Sequence, residues 1–156
     1  ESTAEHSWRL ALGAAVLCHE FPELDREKVM LMCLVHDLGE LYGGDVSAAL
    51  RPDAGKKHDQ EQRDVAKAVA SLPGACAEEI ISLCEEYNQA RTPEARFVKA
   101  MDKAETILQH SQGENPPDFD YGFNLSYGKE YYGQDGRLTK LRELVDKETR
   151  ERMKQP

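Results

Sequence analysis

The stretch VMLMCLVHDLGELYGGD, Val29–Asp45, decides how the rest of the chain is read. Its apolar residues run from Val29 to Leu41 with interruptions only at His36, Asp37, Gly39 and Glu40, and Gly43 and Gly44 end it as C-terminal glycines do. The run reads as a helix in the protein interior. Two adjacent ionisable groups inside such a helix are costly to bury unpaired. A divalent cation offsets that cost, because imidazole nitrogen and carboxylate oxygen are ligands for borderline and hard metals. Neighbouring side chains on a helix point about 100° apart. His36 and Asp37 therefore reach one ion only in a groove between helices, and other helices must supply the remaining ligands.

Working outward, Ala4 to Glu20 places Trp8, Leu10, Ala11, Ala14, Ala15, Val16 and Cys18 on a broad helical face, with Ser2 or Thr3 as N-cap and His6 in the first turn. Trp8 is read as a core residue. A polar loop is expected from Ser47 to Lys57, then helices from His58 to Ser71, Cys76 to Ala90 and Pro93 to Ser111, the last opening on Thr92-Pro93. Residues 113–136, rich in Gly, Pro, Asn and Tyr, read as an ordered loop or lid containing a short helix. A final helix, Arg137 to Met153, carries Leu138, Leu141, Leu144 and Val145 on one side. With no strand alternation and no internal repeat, the expected fold is all-α. It is one domain over residues 1–156, a helical bundle with motifs in 4–112, a loop or lid in 113–136 and a closing helix in 137–153.

The 156 residues and 40% apolar content suit a single core. Twenty Lys and Arg against 29 Asp and Glu give a net charge of -9, which argues against polymeric nucleic acid and membrane surfaces as partners. A small anion is compatible with that balance, since a dication and a few lysines reverse the potential inside one pocket. Cys18, Cys33, Cys76 and Cys84 form no CxxC pair and read as reduced core residues. Neither a signal peptide nor an apolar span is evident, so a cytoplasmic location is expected. The chain starts at Glu1 without methionine, immediately before its first motif, and a preceding segment is expected.

His6, and Asp102 within ARFVKAMDKAETIL, complete an ordered H…HD…D set with His36 and Asp37. Taken singly, His6 reads rather as a partly exposed helix-terminal residue and Asp102 as a salt-bridge partner of Arg96 or Lys99. The ordered set favours metal ligation. EHSWRLA (5–11), LVHDLGELYGGDV (34–46) and RFVKAMDKAETILQ (96–109) resemble the motifs of HD-domain metal-dependent phosphohydrolases, and more narrowly of their 5′-deoxynucleotidase-like branch. The resemblance spans about Glu1 to Gln112. It implies an all-helical HD domain with one divalent ion held by His6, His36, Asp37 and Asp102, hydrolysis of (deoxy)nucleoside 5′-monophosphates to nucleoside and phosphate, and a homodimer. The ion is left open among Mn²⁺, Co²⁺, Fe²⁺, Ni²⁺, Zn²⁺ and Mg²⁺.

Glu40 follows His36 by four residues, which on a continuous helix puts both on one face, where a general base or water-orienting group belongs. The resemblance gives Asp45 a place in the same site, positioning water or protonating the leaving oxygen; an ordinary turn aspartate is the alternative. His58 reads as a helix-start residue at the pocket mouth, and His19 and His110 as surface groups. Cys84 and Tyr87 stand where a second metal's ligand would be expected, so one ion is favoured. Lys56, Lys57 and Arg63 read as a solvated charged face, and Lys103 and Glu105 receive no role. Branch relatives carry an arginine and an aromatic residue upstream of the EHS motif that hold phosphate and sugar, and this chain lacks that region. For Tyr121, Tyr127, Tyr131 and Tyr132, lining the pocket and packing over the core both stay open, as do dimerisation and intramolecular packing for the last helix. Two competing functions remain: hydrolysis of another small phosphate ester or nucleotide, and a non-catalytic module that binds nucleotide or protein.

Overall fold

Thr92 and Pro93 start the longest of the described helices: Thr92 Oγ1 accepts from the Ala95 amide at 3.2 Å and proline occupies the first turn, where a missing N–H costs nothing. This is α5, Pro93–Gln112, against which most of the other helices pack. The computed structural model describes residues 2–43 and 54–154, apart from the side chains of Ala54 and Lys56. Helices α1 (Thr3–Leu17) and α2 (Arg26–Val35) lie against each other and against α5, burying Leu10, Ala14, Val29, Met32, Cys33, Phe97, Val98 and Met101 in one apolar cluster. Helices α3 (Ala54–Val69) and α4 (Gly74–Gln89) follow, with α4 on α2 and α5. A four-residue helix α6 (Tyr121–Asn124) leads to α7 (Gly136–Arg152), which packs along α5 and closes a second cluster of Ala104, Ile107 and Val145. Among the described residues there is no strand, and no helix is long and apolar enough to cross a membrane.

The capping box between Ser2 and Glu5, in which each side chain bonds the other's backbone amide, fixes the start of α1 and holds His6 in its first turn. Where the sequence suggests one helix through Leu41, the structure ends α2 at Val35. His36 caps it, Asp37 turns at φ -97°, ψ 10°, and Leu38–Glu40 form a 3₁₀ turn closed by the Glu40 amide on the Asp37 carbonyl at 2.9 Å. Gly39 is needed in this turn: a Cβ there would come within 2.7 Å of the Glu61 Cβ, so α3 packs directly on its backbone. Helix α3 itself starts at Ala54, one turn before His58.

Two core assignments are corrected. Trp8 is 64% exposed, and Trp8, Leu12 and Val16, four residues apart, form an uncovered stripe opposite the buried Leu10, Ala11 and Ala14. The apolar positions of α1 encircle more of the helix than α2 and α5 can cover. Cys76 is exposed in the first turn of α4, whereas Cys18, Cys33 and Cys84 are buried free thiols. The apolar side of α7 is used within the chain, with Leu138 and Val145 buried and Leu144 exposed.

Candidate metal centre

The first turn of α1, the C-terminus of α2 and the middle of α5 converge on one point. His6, His36 and Asp37 each offer a ligand atom there, all within 4.8 Å of one another. His36 Nδ1 lies 3.0 Å from the Cys33 carbonyl, which can only accept, so the hydrogen is on Nδ1 and Nε2 is bare in the neutral ring. Burial depresses the His36 pKa to about 4, against the pull of Asp102, and keeps the ring neutral. Its Nε2 is buried without a hydrogen-bond partner and stands 3.2 Å from Asp37 Oδ1. Two lone-pair atoms facing each other with no proton between them are what a cation would reconcile, and the donor set suits a borderline divalent ion.

His6 is held in the complementary way. Its Nδ1 is 2.5 Å from Glu105 Oε2, leaving Nε2 turned toward Asp102 Oδ1 at 3.4 Å and Asp37 Oδ2 at 3.8 Å. Burial opposes its charge, but hydrogen bonding to Asp102 and Glu105, with Asp37 nearby, lifts its pKa to about 10. Arg9 pairs with the other oxygen of Glu105 at 3.1 Å. Such a carboxylate behind a histidine fixes the ring's orientation.

Asp102 is buried at the centre of α5. Burial opposes its ionisation, yet Lys103, His6 and His36 hold the carboxyl well below its ordinary range. Lys103 Nζ is 2.8 Å from Oδ2, which also accepts the Tyr87 hydroxyl, while Oδ1 faces His6. The structure thus brings the four sequence-predicted residues together, with Asp102 next to the tight trio rather than within it. The ion-pair partner of Asp102 is Lys103, not the Arg96 or Lys99 of the alternative reading.

The site opens into a cavity of about 1110 Å³. Glu40 lines it, but from the 3₁₀ turn and not from a helical face shared with His36, because the helix has already ended; its Oε1 accepts from Lys57 Nζ at 3.2 Å. Asp45 lies outside the described residues, as does the side chain of Lys56. His58 also lines the cavity, 3.8 Å from Glu85 Oε2. His110, expected at the surface, lines it too and sits 2.9 Å from Asn124 Oδ1. The tyrosines divide: Tyr127 and Tyr131 line the cavity, whereas Tyr132 is buried with its hydroxyl donating to the Ala100 carbonyl at 2.7 Å.

Four supporting residues escaped the sequence reading: Glu105, Lys103, Tyr87 and Lys99. Lys99 Nζ lies 3.6 Å from the Tyr87 ring centroid on the cavity wall. Burial outweighs the attraction of Asp102, Glu61 and Asp37 and lowers its pKa to about 8. The available signal was spacing, since Lys99, Asp102 and Glu105 recur every three residues on one face of α5.

Several known proteins are similar to this chain. The family model for the HD domain matches residues 1–142. The 5′-deoxynucleotidase HDDC2 of Bos taurus is 34% identical over 115 residues, covering 74% of this chain and 55% of that protein. The 5′-deoxynucleotidase hdd1 of Schizosaccharomyces pombe is 34% identical over 113 residues, covering 70% and 56%. The chain spans about half the length of the curated relatives it matches. Among solved structures, a "Predicted metal-dependent phosphohydrolase" from Magnetospirillum magnetotacticum superposes with a TM-score of 0.75 at 25% identity, over 98% of this chain and 79% of that one. A conserved hypothetical protein from Pyrococcus furiosus gives 0.62 at 29% identity, over 96% and 83%.

Proposed function

The chain belongs to the HD domain family, and on that premise we propose that it is a metal-dependent phosphohydrolase that converts deoxynucleoside 5′-monophosphates to nucleoside and phosphate. The observation that carries the reading is the bare, buried Nε2 of His36 facing the Asp37 carboxylate beside His6, at the end of a cavity large enough for a mononucleotide. The names of the curated relatives supply the substrate class.

His6, His36, Asp37 and Asp102 are the residues that would hold the ion. When bound, a divalent ion supplies Lewis-acid stabilisation of a phosphoryl oxygen and a water of lowered pKa. Glu40 is the proposed acceptor of the attacking water's proton, kept oriented on the cavity wall by Lys57. Lys99 is the proposed counter-charge for the phosphate. Lys57 is engaged with Glu40 and Glu61 at 3.2 and 3.4 Å and Lys103 with Asp102, whereas among the described residues Lys99 has an aromatic ring and no carboxylate against its ammonium. Asp45 keeps its proposed place in the site, positioning water or protonating the leaving oxygen, from the motif alone.

A homodimer belongs to the same reading. The exposed stripe Trp8, Leu12 and Val16 is the face a second copy would cover, since α7 spends its apolar side on α5. Phosphate release from a panel of deoxynucleoside monophosphates, nucleoside triphosphates and cyclic nucleotides, with Mn²⁺, Co²⁺ and Mg²⁺ supplied in turn, tests the function. Release from monophosphates is expected. Release from triphosphates alone would contradict it.

A further inference from the structure

The cavity has a second end that the metal site does not use. Asp102, Lys103, Thr106, Gln109 and His110 all line it, spaced so that they form one stripe along α5. From Asp102 to Gln109 the helix advances about 10 Å, the reach from a phosphate to the base of an extended mononucleotide. Toward that far end stands Phe123, next to Asn124, whose Oδ1 is 2.9 Å from His110 Nδ1. Its ring lies 5.0 Å, centroid to centroid, from that of Tyr127 and inclined by 29°, both on the cavity wall, and the Tyr127 ring reaches back to within 5.0 Å of Lys103 Nζ.

Packing does not account for Phe123. It is only half-buried and belongs to neither apolar cluster, whereas Tyr127 backs onto the cluster of Ala104, Ile107 and Val145. The pair is also firmly seated. The buried Arg142 guanidinium donates to the carbonyls of Asn124 and Tyr127, and its Nε donates to Asp146 at 2.7 Å. Gly128 adopts φ +67° with its Cα against Lys103, where a Cβ would lie 2.8 Å from the lysine Cβ, so the segment is pressed onto α5 beside the metal-site lysine. A rigid pair of aromatic rings facing a wet cavity, with a hydroxyl, an amide and an imidazole on the adjoining helix, matches a planar heterocycle with polar edges.

We propose that Phe123 and Tyr127 form the stacking platform for the nucleobase of the substrate, with Thr106 and Gln109 at the base edge. This rests on the reading that the substrate is a nucleoside monophosphate whose phosphate lies at the metal end. Stacking tolerates any base, because every base has a π-face, so the platform favours nucleotides over sugar phosphates without selecting one base.

The test compares the binding of deoxyadenosine 5′-monophosphate with that of deoxyribose 5-phosphate, the same molecule without its base, by calorimetry on the wild type, Phe123→Ala and Phe123→Leu. The wild type is expected to bind the nucleotide more tightly. Phe123→Ala should lose about tenfold in nucleotide affinity with sugar-phosphate affinity unchanged, and Phe123→Leu, which keeps apolar bulk, should lose most of the same preference. A wild type that binds both ligands equally, or a variant that loses both equally or neither, overturns the platform. Phosphate release is scored separately. Base-dependent binding without hydrolysis supports the platform and overturns the hydrolase, whereas nucleotide hydrolysis with KM unchanged in Phe123→Ala overturns the platform alone.

Discussion

Glu105 decides which nitrogen of His6 faces the metal site, because its carboxylate takes the Nδ1 side at 2.5 Å while Arg9 holds its other oxygen. Replacing it with alanine frees the ring and should weaken divalent-metal affinity about 10- to 100-fold, read by competition with a chromogenic chelator; unchanged affinity would deny it that positioning role. Lys99 tests a different idea. If its ammonium meets the phosphate, Lys99→Met should raise KM for a nucleoside monophosphate about tenfold or more, with metal content unchanged and product inhibition by phosphate weakened in parallel. Equal KM in the two proteins would remove it from the substrate site. At this scale the order and apolar setting of His6, His36, Asp37 and Asp102 made their convergence on one point legible in the sequence. It was silent for Lys103 and Tyr87, and offered for Glu105 only its three-residue spacing from Asp102, because their roles arise only when α1, α4 and α5 meet in a particular rotational register.

The elements that shape the site are short and irregular, which is why periodicity misplaced them. An apolar run continues to Leu41, so it reads as helix, yet α2 ends at Val35 and Leu38–Glu40 form a 3₁₀ turn whose Gly39 leaves room for Glu61 of α3. Glu40 consequently reaches the cavity by a route other than helical spacing, and the expectation arrived at the right wall for the wrong reason. The segment carrying α6 was read correctly as ordered, but what orders it is Arg142, a buried cation on α7 that ties together the Asn124 and Tyr127 carbonyls and Asp146. Arg142→Met leaves those acceptors without their donor and should cost about 3–5 kcal/mol in urea unfolding. It should also increase amide exchange across residues 121–131. Loss of stability with unchanged exchange in that segment would place the effect in α7 alone.

For the whole molecule, the all-α fold was legible because six long segments carry helical periodicity and none alternates, while the exposed Trp8 stripe was not, since coverage depends on how many neighbours a helix receives. The converging histidines also leave a signature in global stability. Without metal, His36 titrates near 4 in the folded chain against 6.5 ordinarily, so the unfolded chain binds the extra proton and stability falls as pH drops from 6.5 toward 4. His6 does the reverse: its folded value of about 10 means the native state holds the extra proton, and stability falls as pH rises from 6.5 toward 8. Chelator-treated protein should therefore melt highest near pH 6.5, and a melting temperature that climbs steadily from pH 6.5 to 8 would contradict the His6 environment. The central claim is that these side chains hold one catalytic ion, and it is tested most directly by elemental analysis coupled to phosphate release on the wild type and His36→Ala. The account predicts one divalent ion per chain and hydrolysis of deoxynucleoside monophosphates in the wild type, both lost in His36→Ala while the helical circular dichroism persists. A His36→Ala protein that retains a full equivalent of metal and wild-type turnover would contradict it.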